Sequence, residues 1–446
     1  MANSYLERTP SGAGNSKTFT ISCWVKRSKL SYNYDMFYTA GLHQSTLMSQ
    51  LYFIDSDELL FGAWNSNGST NHYIKTNRKF RDTSAWYHIV VAVDTTQATA
   101  ANRVKIYVNG TQETSLDTSN NYPAQNFDYA FNQTLVHNIG RRGDLASSYH
   151  DGYLSHVVMV DGQALAPTVF GSTDSTSGIW KFKSPSGVTW GTNGFHLKFE
   201  NSGAMGTDSS GNTNTFTVNG DLKQALDTPS NVYATFNSFS TKQSYNTTFS
   251  NGNDRFRHSQ ADNHNSCRST LGFNKGKWYA EFKLVSSVSQ SNCMVGIGNL
   301  NIATTNGDTA VNGLGGSGYQ SGGILYRSGY SDISSLTTYA QNDIIGCACD
   351  FDNKMIYFYK NGTLLNGTGY AFTLNSGIAN GDFYGFAVSG YQTSGDDVVF
   401  DANFGNGYFA TTAISSAGSN GNGSLFEYDV PSGYYALNTK NINTYG

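Results

Sequence analysis

The stretch from Asp343 to Gly362, "DIIGCACDFDNKMIYFYKNG", alternates with a period of two residues. Ile345, Cys347, Cys349 and Phe351 fall on one face of an extended chain, and Ile344, Gly346 and Ala348 fall on the other. Asp352-Asn353 breaks the run with short polar side chains suited to a tight turn. Met355 to Tyr359 forms a second run of residues that fit a pleated surface. Asn361-Gly362 then closes it with the dipeptide that most readily supplies the positive φ angles of a hairpin. Apolar or aromatic residues occupy both faces, so the pattern predicts a hairpin covered on two sides. The same design recurs far upstream: "WYHIVVAVD" (Trp86 to Asp94) precedes "RVKIYVNG" (Arg103 to Gly110), where Val104, Ile106 and Val108 alternate with Arg103, Lys105 and Tyr107. Two such hairpins, in a chain long enough for two cores at roughly 100–200 residues per domain, predict two β-domains in tandem.

Shorter runs fill the intervals. "KTFTISCWVKRS" puts Phe19, Ile21, Cys23 and Val25 on one side and Thr18, Thr20, Ser22 and Trp24 on the other. "MFYTAG", "LYFID" and "ELLFGAW" continue the pattern, and Tyr5-Leu6 reads as an edge strand. The first domain is expected over 1–220, a linker with Pro229 over 221–237, and the second domain over 238–410. From Thr411 the Gly/Ser/Asn-rich composition predicts a flexible segment. The closing stretch holds Phe426, Tyr428, Val430, Tyr434, Tyr435 and Leu437, too apolar for a free tail, so it should pack on the second domain or on a neighbouring subunit.

Composition narrows the fold class to all-β. Aromatic residues reach 14%, glycine is frequent (48) and proline scarce (6), a profile of short strands joined by Gly/Asn turns. Charged residues make up 13% of the 446, about half the usual quarter, so Ser, Thr, Asn and Gly carry the solubility. Net charge is −4 with no run of Lys or Arg, which argues against a nucleic-acid partner. No stretch approaches the length of a membrane-spanning helix, so no membrane insertion is expected. The opening "MANSYLERTPSGAGNSK" lacks the basic start and apolar core of a secretory signal. Cys23, Cys267, Cys293, Cys347 and Cys349 are odd in number, form no metal spacing, and read as small buried residues of a protein made in a reducing compartment.

In sequence order, "TFTISCWVKRS", "WYHIVVAVD", "RVKIYVNG", "HDGYLSHVVMVDGQAL" and "LKFENS…GTDSSGNTNTF" resemble the laminin-G/pentraxin type of concanavalin-A-like jelly roll over residues 1–220. "GKWYAEFKL", "CMVGIGN", "GGILYRSG", "NDIIGCACDFDNKMIYFYKNG", "YGFAVSG" and "VVFDANFG" are similar to the SPRY domain, over about 236–410. The resemblance implies two tandem concanavalin-A-like antiparallel β-sandwiches. The opening "SYLERTPSGAGNSKTFT" and the closing stretch resemble bacteriophage virion proteins. That resemblance implies a tail fibre, knob or surface appendage, made in the host cytoplasm and displayed on the virion. Its partners would be other virion proteins, copies of itself in a symmetric oligomer, and a host-surface polysaccharide or receptor. The alternatives are a purely architectural virion subunit and, more remotely, a carbohydrate-active enzyme or its binding module.

Three chemistries can be weighed. Glycoside hydrolases on this type of fold use paired carboxylates on one strand; Asp55, Asp57 and Glu58 lie at a strand end and lack that spacing, Asp350 and Asp352 sit at a turn, and both groups read as polar turns capping strands. None of the nine histidines sits with a Ser or Cys in a recognisable nucleophile elbow, so no enzyme is expected. The laminin-G/pentraxin resemblance implies Ca2+ as a candidate ligand at a loop-rich rim. Asp208 and Asn212 in "GTDSSGN" are the candidate ligands there, with Asp144 and Asp151 in another loop; the alternative is an Asx turn. Glycan recognition needs aromatic plates and planar amides. Three loops have that composition: Trp64, Asn65, Asn67, His72 and Tyr73; Tyr122, Asn126 and Tyr129; and Tyr319, Tyr326, Arg327 and Tyr330. The alternative is that these aromatics cover the sandwich ends or meet neighbouring copies.

Overall fold

The computed structural model describes residues 3–143, 148–242, 246–259, 263–287, 292–303, 311, 315–374, 382–392 and 397–446. The chain divides into two compact units, Met1–Gln224 and Ala225–Gly446. Within the stretch read as a linker, Leu222 packs against the core of the first unit, while Tyr233, Ala234 and Phe236 are buried in the second.

The strands of the first unit are β1 (Tyr5–Arg8), β2 (Thr18–Arg27), β3 (Asp35–Ala40), β4 (Met48–Phe53), β5 (Glu58–Trp64), β6 (Thr70–Lys79), β7 (Tyr87–Asp94) and β8 (Val104–Val108). They continue as β9 (Thr111–Gln112), β10 (His137–Ile139), β11 (Gly152–Asp161), β12 (Gly171–Thr173), β13 (Trp180–Phe182), β14 (Phe195–Leu197) and β15 (Thr217–Asn219). A seven-stranded sheet runs β15-β1-β10-β3-β4-β5-β6, and a six-stranded sheet runs β14-β11-β2-β7-β8-β9. Phe19, Ile21, Cys23 and Val25 of β2 meet Leu51, Phe53 and Phe61 of the other sheet in one core, as the alternation predicts. Each such side chain taken out of water contributes about 1.5–3 kcal/mol. The edge-strand reading of Tyr5-Leu6 is corrected: β1 is paired on both sides, with β10 and β15. The short β15, far away in sequence and carrying only Thr217–Asn219, covers the flank that local pattern left open.

The second unit holds β16 (Thr247–Ser250), β17 (Arg255–His258), β18 (Asn263–Arg268), β19 (Lys277–Ser286), β20 (Met294–Asn299), β21 (Ser317–Gln320), β22 (Ile324–Tyr326) and β23 (Ile344–Asp350). After them come β24 (Met355–Lys360), β25 (Thr363–Leu364), β26 (Tyr370–Ala371), β27 (Tyr384–Gln392), β28 (Val398–Asn403), β29 (Tyr408–Phe409), β30 (Thr412–Ala413), β31 (Tyr435–Ala436) and a short helix α1 (Thr439–Tyr445). Its larger sheet runs β16-β17-β28-β19-β23-β24-β25, with β26 and β31 attached, and faces a five-stranded sheet β18-β27-β20-β21-β22. Both units are thus antiparallel β-sandwiches, as expected.

In the β23–β24 hairpin, Ile345, Cys347, Cys349, Ile356 and Phe358 enter the main core. On its other face Ala348, Tyr357 and Tyr359, with Tyr279 of β19, meet Phe426, Val430, Tyr434 and Ala436 of the C-terminal stretch. The two-sided cover read from the sequence is therefore present, and the tail packs on the second unit. β31 adds to β19 in parallel, pairing Trp278 with Tyr435 and Tyr279 with Ala436. Glu281, fully buried on β19, accepts the backbone N–H groups of Glu427 (2.8 Å) and Tyr428 (2.9 Å), along with Tyr279 Oη (3.2 Å) and Asn403 Nδ2 (3.3 Å). The Gly/Ser segment before the tail is tied down rather than free. Gly418 N–H donates to the Phe426 carbonyl, Val430 N–H to the Ser419 carbonyl, and Ser419 N–H to the Asp429 carboxylate (2.6 Å). All five cysteines are buried and unpaired.

Candidate functional site

Strands β3 to β6 carry apolar residues on both faces. Phe37, Leu51, Phe53, Leu59 and Phe61 point into the core. The residues alternating with them, Met36, Tyr52 and Leu60, form a separate buried patch on the outer face, edged by half-buried Tyr34, Ile54, Trp64 and Tyr73. The register Met36↔Tyr52↔Leu60 and Gln50↔Gly62↔Tyr73 builds this face row by row. The Tyr34 and Tyr52 rings lie 5.8 Å apart, and Tyr52 and Trp64 lie 6.2 Å apart. Gly62 makes room for the arrangement: a Cβ there would stand 2.9 Å from Tyr73 Cβ and 3.1 Å from Trp64 Cη2. Gln50, 2% exposed in the same row, has an amide oxygen with no hydrogen-bond partner among the described residues, while its nitrogen bonds Met48 Sδ at 3.3 Å. Tyr73 Oη donates to Ser119 Oγ (2.8 Å), and the Arg142 guanidinium lies 5.3 Å from the Tyr34 ring. The result is an aromatic dish with amide and hydroxyl groups beside it, able to stack against a flat apolar face while bonding hydroxyls at its edge.

The loop reading of these residues needs correcting. Trp64 ends β5 and Tyr73 lies inside β6, so both are strand residues; only residues 65–69 form the turn. Asn67 is exposed in that turn but accepts from Ser69 N–H (2.9 Å) and Ser69 Oγ (2.6 Å). His72, one residue out of phase with Tyr73, points inward and bonds Tyr129 Oη at 2.7 Å. Tyr129 is fully buried, Tyr122 packs against the same core, and Asn126 is exposed. Tyr34, Tyr52 and Gly62 were missed, although strands apolar on both faces were the available signal.

In the second unit the third loop does not hold together as a site. Tyr319 sits in β21, fully buried in the main core, with its hydroxyl bonded to the Thr337 carbonyl. Its alternation phase turns it inward, so it presents nothing to solvent. Tyr326 packs beside Met294, Val311 and Ala387 on the outer face of the five-stranded sheet. Arg327 bonds the Ser331 carbonyl (2.6 Å) and lies 5.1 Å from the ring of Tyr330, which is 47% exposed. A separate cavity of about 450 Å³ opens between Thr337, Lys360, Asn361 and Asn366. Lys360 is held there by Asp343 (3.1 Å) and the Thr338 carbonyl (2.8 Å), the Asn361 amide already bonds Asp343 (2.7 Å) and Ile344 N–H (2.8 Å), and Leu364 and Leu365 share the lining.

Calcium does not fit Asp208 and Asn212. The Asp208 carboxylate already accepts His196 N–H (2.9 Å), Ser210 N–H (2.8 Å), Asn214 N–H (2.8 Å) and Ser210 Oγ (2.8 Å). Asn212 donates its amide to the Gly191 (2.7 Å) and Gly194 (3.1 Å) carbonyls. The pair clamps a turn, and no second carboxylate joins it; among the described residues no group of three acidic, His or Cys ligands gathers anywhere. Asp144 lies outside the described residues, and Asp151 is buried, its carboxyl raised by burial and by Asp35. The other acids are also bonded in place: Asp57 by Arg27 (3.0 Å) and Arg81 (2.9 Å), and Asp350 by Lys277 (2.8 Å).

The concanavalin A-like lectin/glucanases superfamily, in its laminin-G form, matches residues 2–169, and the SPRY domain matches residues 277–401. The chain carries a laminin-G/concanavalin-A-like domain followed by a SPRY domain. The aromatic dish belongs to the laminin-G-like domain. Over 119 residues the chain is 37% identical to the ATP-dependent RNA helicase DDX1 of Xenopus laevis. That match covers 26% of this chain and 14% of the helicase, so the chain spans only a small part of that relative's length. Among solved structures, the SPRY domain of human HERC1 is 18% identical, covering 37% of this chain and 96% of its own, with a TM-score of 0.29. A heptameric SAP-like pentraxin from Limulus polyphemus is 14% identical, covering 42% and 82%, with a TM-score of 0.28. No helix among the described residues is long and apolar enough to cross a membrane.

Proposed function

We propose that this protein is a non-enzymatic component of a phage particle, a tail fibre, knob or surface appendage, that adheres to host-surface polysaccharide or a receptor. The observation that carries the adhesive part is the half-buried Trp64/Tyr73 dish on the outer face of the laminin-G-like sheet, with Gly62 kept clear beneath it. The virion part rests on the resemblance of the opening and closing stretches to phage virion proteins. Each dish offers a small contact, and display of many copies on one particle multiplies weak contacts into useful avidity. A symmetric oligomer of the chain, bound to other virion proteins, would present them together.

A glycan array carrying bacterial surface polysaccharides, probed with the full chain and with Trp64→Ala and Tyr73→Ala, tests this. Binding by the wild type, weakened at least about ten-fold by either substitution, is the expected result and corresponds to about 1.4 kcal/mol or more. No binding to any polysaccharide, in a chain that still assembles with copies of itself, would favour a purely architectural subunit. Release of reducing sugar during the assay would favour an enzyme.

A further inference from the structure

The six-stranded sheet of the first unit carries histidines on its outer face, and a hairpin roofs them. β12 and β13 pair with each other and, among the described residues, with no other strand. Trp180 on this hairpin lies against backbone: a Cβ at Gly110 or Gly171 would come within 2.5 Å of its ring. Its indole Nε1–H donates to His88 Nδ1 at 2.9 Å, and Ser22 Oγ lies 2.9 Å from His88 Nε2. An indole nitrogen can only donate, so His88 Nδ1 is unprotonated and the ring is neutral, with its one proton on Nε2 facing Ser22. Trp24 stacks on the same imidazole at 4.7 Å.

His156, together with His196, adds a second proton-sensitive contact under the hairpin. It sits where β11 slips register against β2, between Ser155 and Val158, with φ +48°. A bulge of this kind re-aims a side chain. The imidazole stacks on Phe182 of the hairpin at 3.5 Å and 9°, and its Nδ1 lies 3.2 Å from Nε2 of His196. One proton satisfies that nitrogen pair, whereas two would set N–H against N–H.

We propose that the β12–β13 hairpin is an acid-released flap: protonation of His88 removes the acceptor holding Trp180, protonation of both His156 and His196 sets N–H against N–H beneath Phe182, and the hairpin lifts while the sandwich stays folded. Release uncovers Trp24, Trp180 and Phe182. Burial, then the neighbouring His156, pushes His88 down to about 3; burial, then His196 and Lys198, pushes His156 down to about 4. Both rings return toward their ordinary value of about 6.5 once exposed. The lifted form therefore binds protons more tightly, and closure weakens as pH falls from about 6.5 toward 4. The charged and titratable groups around the pair are His156 on the His88 side, then His196 and Lys198, with Asp208 acting on His196. Lys26, farther along β2, lies over the Tyr153 ring, while Lys181 bonds Asp174 (2.7 Å) and Lys183 bonds the Thr168 carbonyl (3.0 Å).

Hydrogen exchange of the full chain, read as protection factors for peptides covering 171–182, tests the flap between pH 7.5 and pH 4.5. Protection of the hairpin should fall at least about ten-fold further than that of β2 and β7, which lose protection only with the unit as a whole. His88→Asn, whose Oδ1 stands where Nδ1 stood, supplies a non-titrating acceptor for Trp180 and should reduce that response. Constant hairpin protection, a loss no greater than that of β2 and β7, or an unchanged response in His88→Asn would each overturn the proposal. Should His88→Asn fail to fold, the wild-type profile alone decides.

Discussion

The larger sheet in each unit carries aromatic residues on the face turned away from its core, and the two faces meet different fates. In the second unit, Tyr279, Tyr357 and Tyr359 are covered by the chain's own Phe426, Val430 and Tyr434, and the buried Glu281 clasps the covering strap through two backbone N–H groups. In the first, Trp64, Tyr73 and Tyr34 are left half-buried around Tyr52. A strand that is apolar on both faces thus announces a second contact without saying whether the chain itself supplies it. Where the chain does, the aromatic face serves stability. Where it does not, the face is available for a ligand.

This contrast can be broken by mutation. Phe426→Ala, which empties a buried site packed edge-on against Tyr279 at 5.0 Å, should destabilise the second unit by about 3–5 kcal/mol. Denaturant unfolding followed by exchange of β19 and β23 peptides would measure this.

The next effect is a pH response of opposite sign in the two units. Burial raises the Glu281 carboxyl to about 7, against the backbone donors of Glu427 and Tyr428 that favour its charge. A raised carboxyl contributes its stability in full below its unfolded value near 4.5 and loses it as pH rises through about 7, a change on the order of 2–3 kcal/mol. His72, His137 and His88, all lowered by burial, make the first unit lose stability instead as pH falls from about 6.5. Unit-resolved exchange at pH 5 and pH 8 should show the two changing in opposite directions.

Glu281→Gln should cost the second unit about 1–3 kcal/mol, because the amide nitrogen then faces a backbone N–H it cannot accept, and it should remove the loss of stability between pH 5 and pH 8 that this carboxyl causes. Chemical denaturation at pH 5 and pH 8 would show both effects. Gly62→Ala should cost about 1–3 kcal/mol, because its Cβ would stand 2.8 Å from the His72 carbonyl oxygen and 2.9 Å from Tyr73 Cβ, and should weaken ligand binding measurably by displacing Tyr73. Asn67→Ala, in the exposed turn, should leave stability within about 0.5 kcal/mol of wild type in a thermal melt.

Alternation made the two sandwiches and both central hairpins legible, because a period of two fixes which side chains share a face. What it could not reveal was distant pairing. Nothing local in Tyr5-Leu6 points to Thr217–Asn219 as its partner strand. Phase also decided the site residues. Tyr73 and Trp64 fall on the outward phase and His72 and Tyr319 on the inward one, but a reading by loop composition grouped them together. Asp208 and Asn212 have the composition of a calcium loop, and only the direction of their hydrogen bonds shows that they serve the turn itself.

The central claim is that the outer face of β4 to β6 binds a ligand while the corresponding face of the second unit is occupied by its own chain. The most direct measurement is hydrogen exchange of the full chain with and without a polysaccharide selected on the array. The account predicts added protection in peptides spanning 48–53 and 58–79, with β19, β23 and the strap unchanged. Protection appearing at 326–331 or along the strap, with none at 48–79, would contradict it.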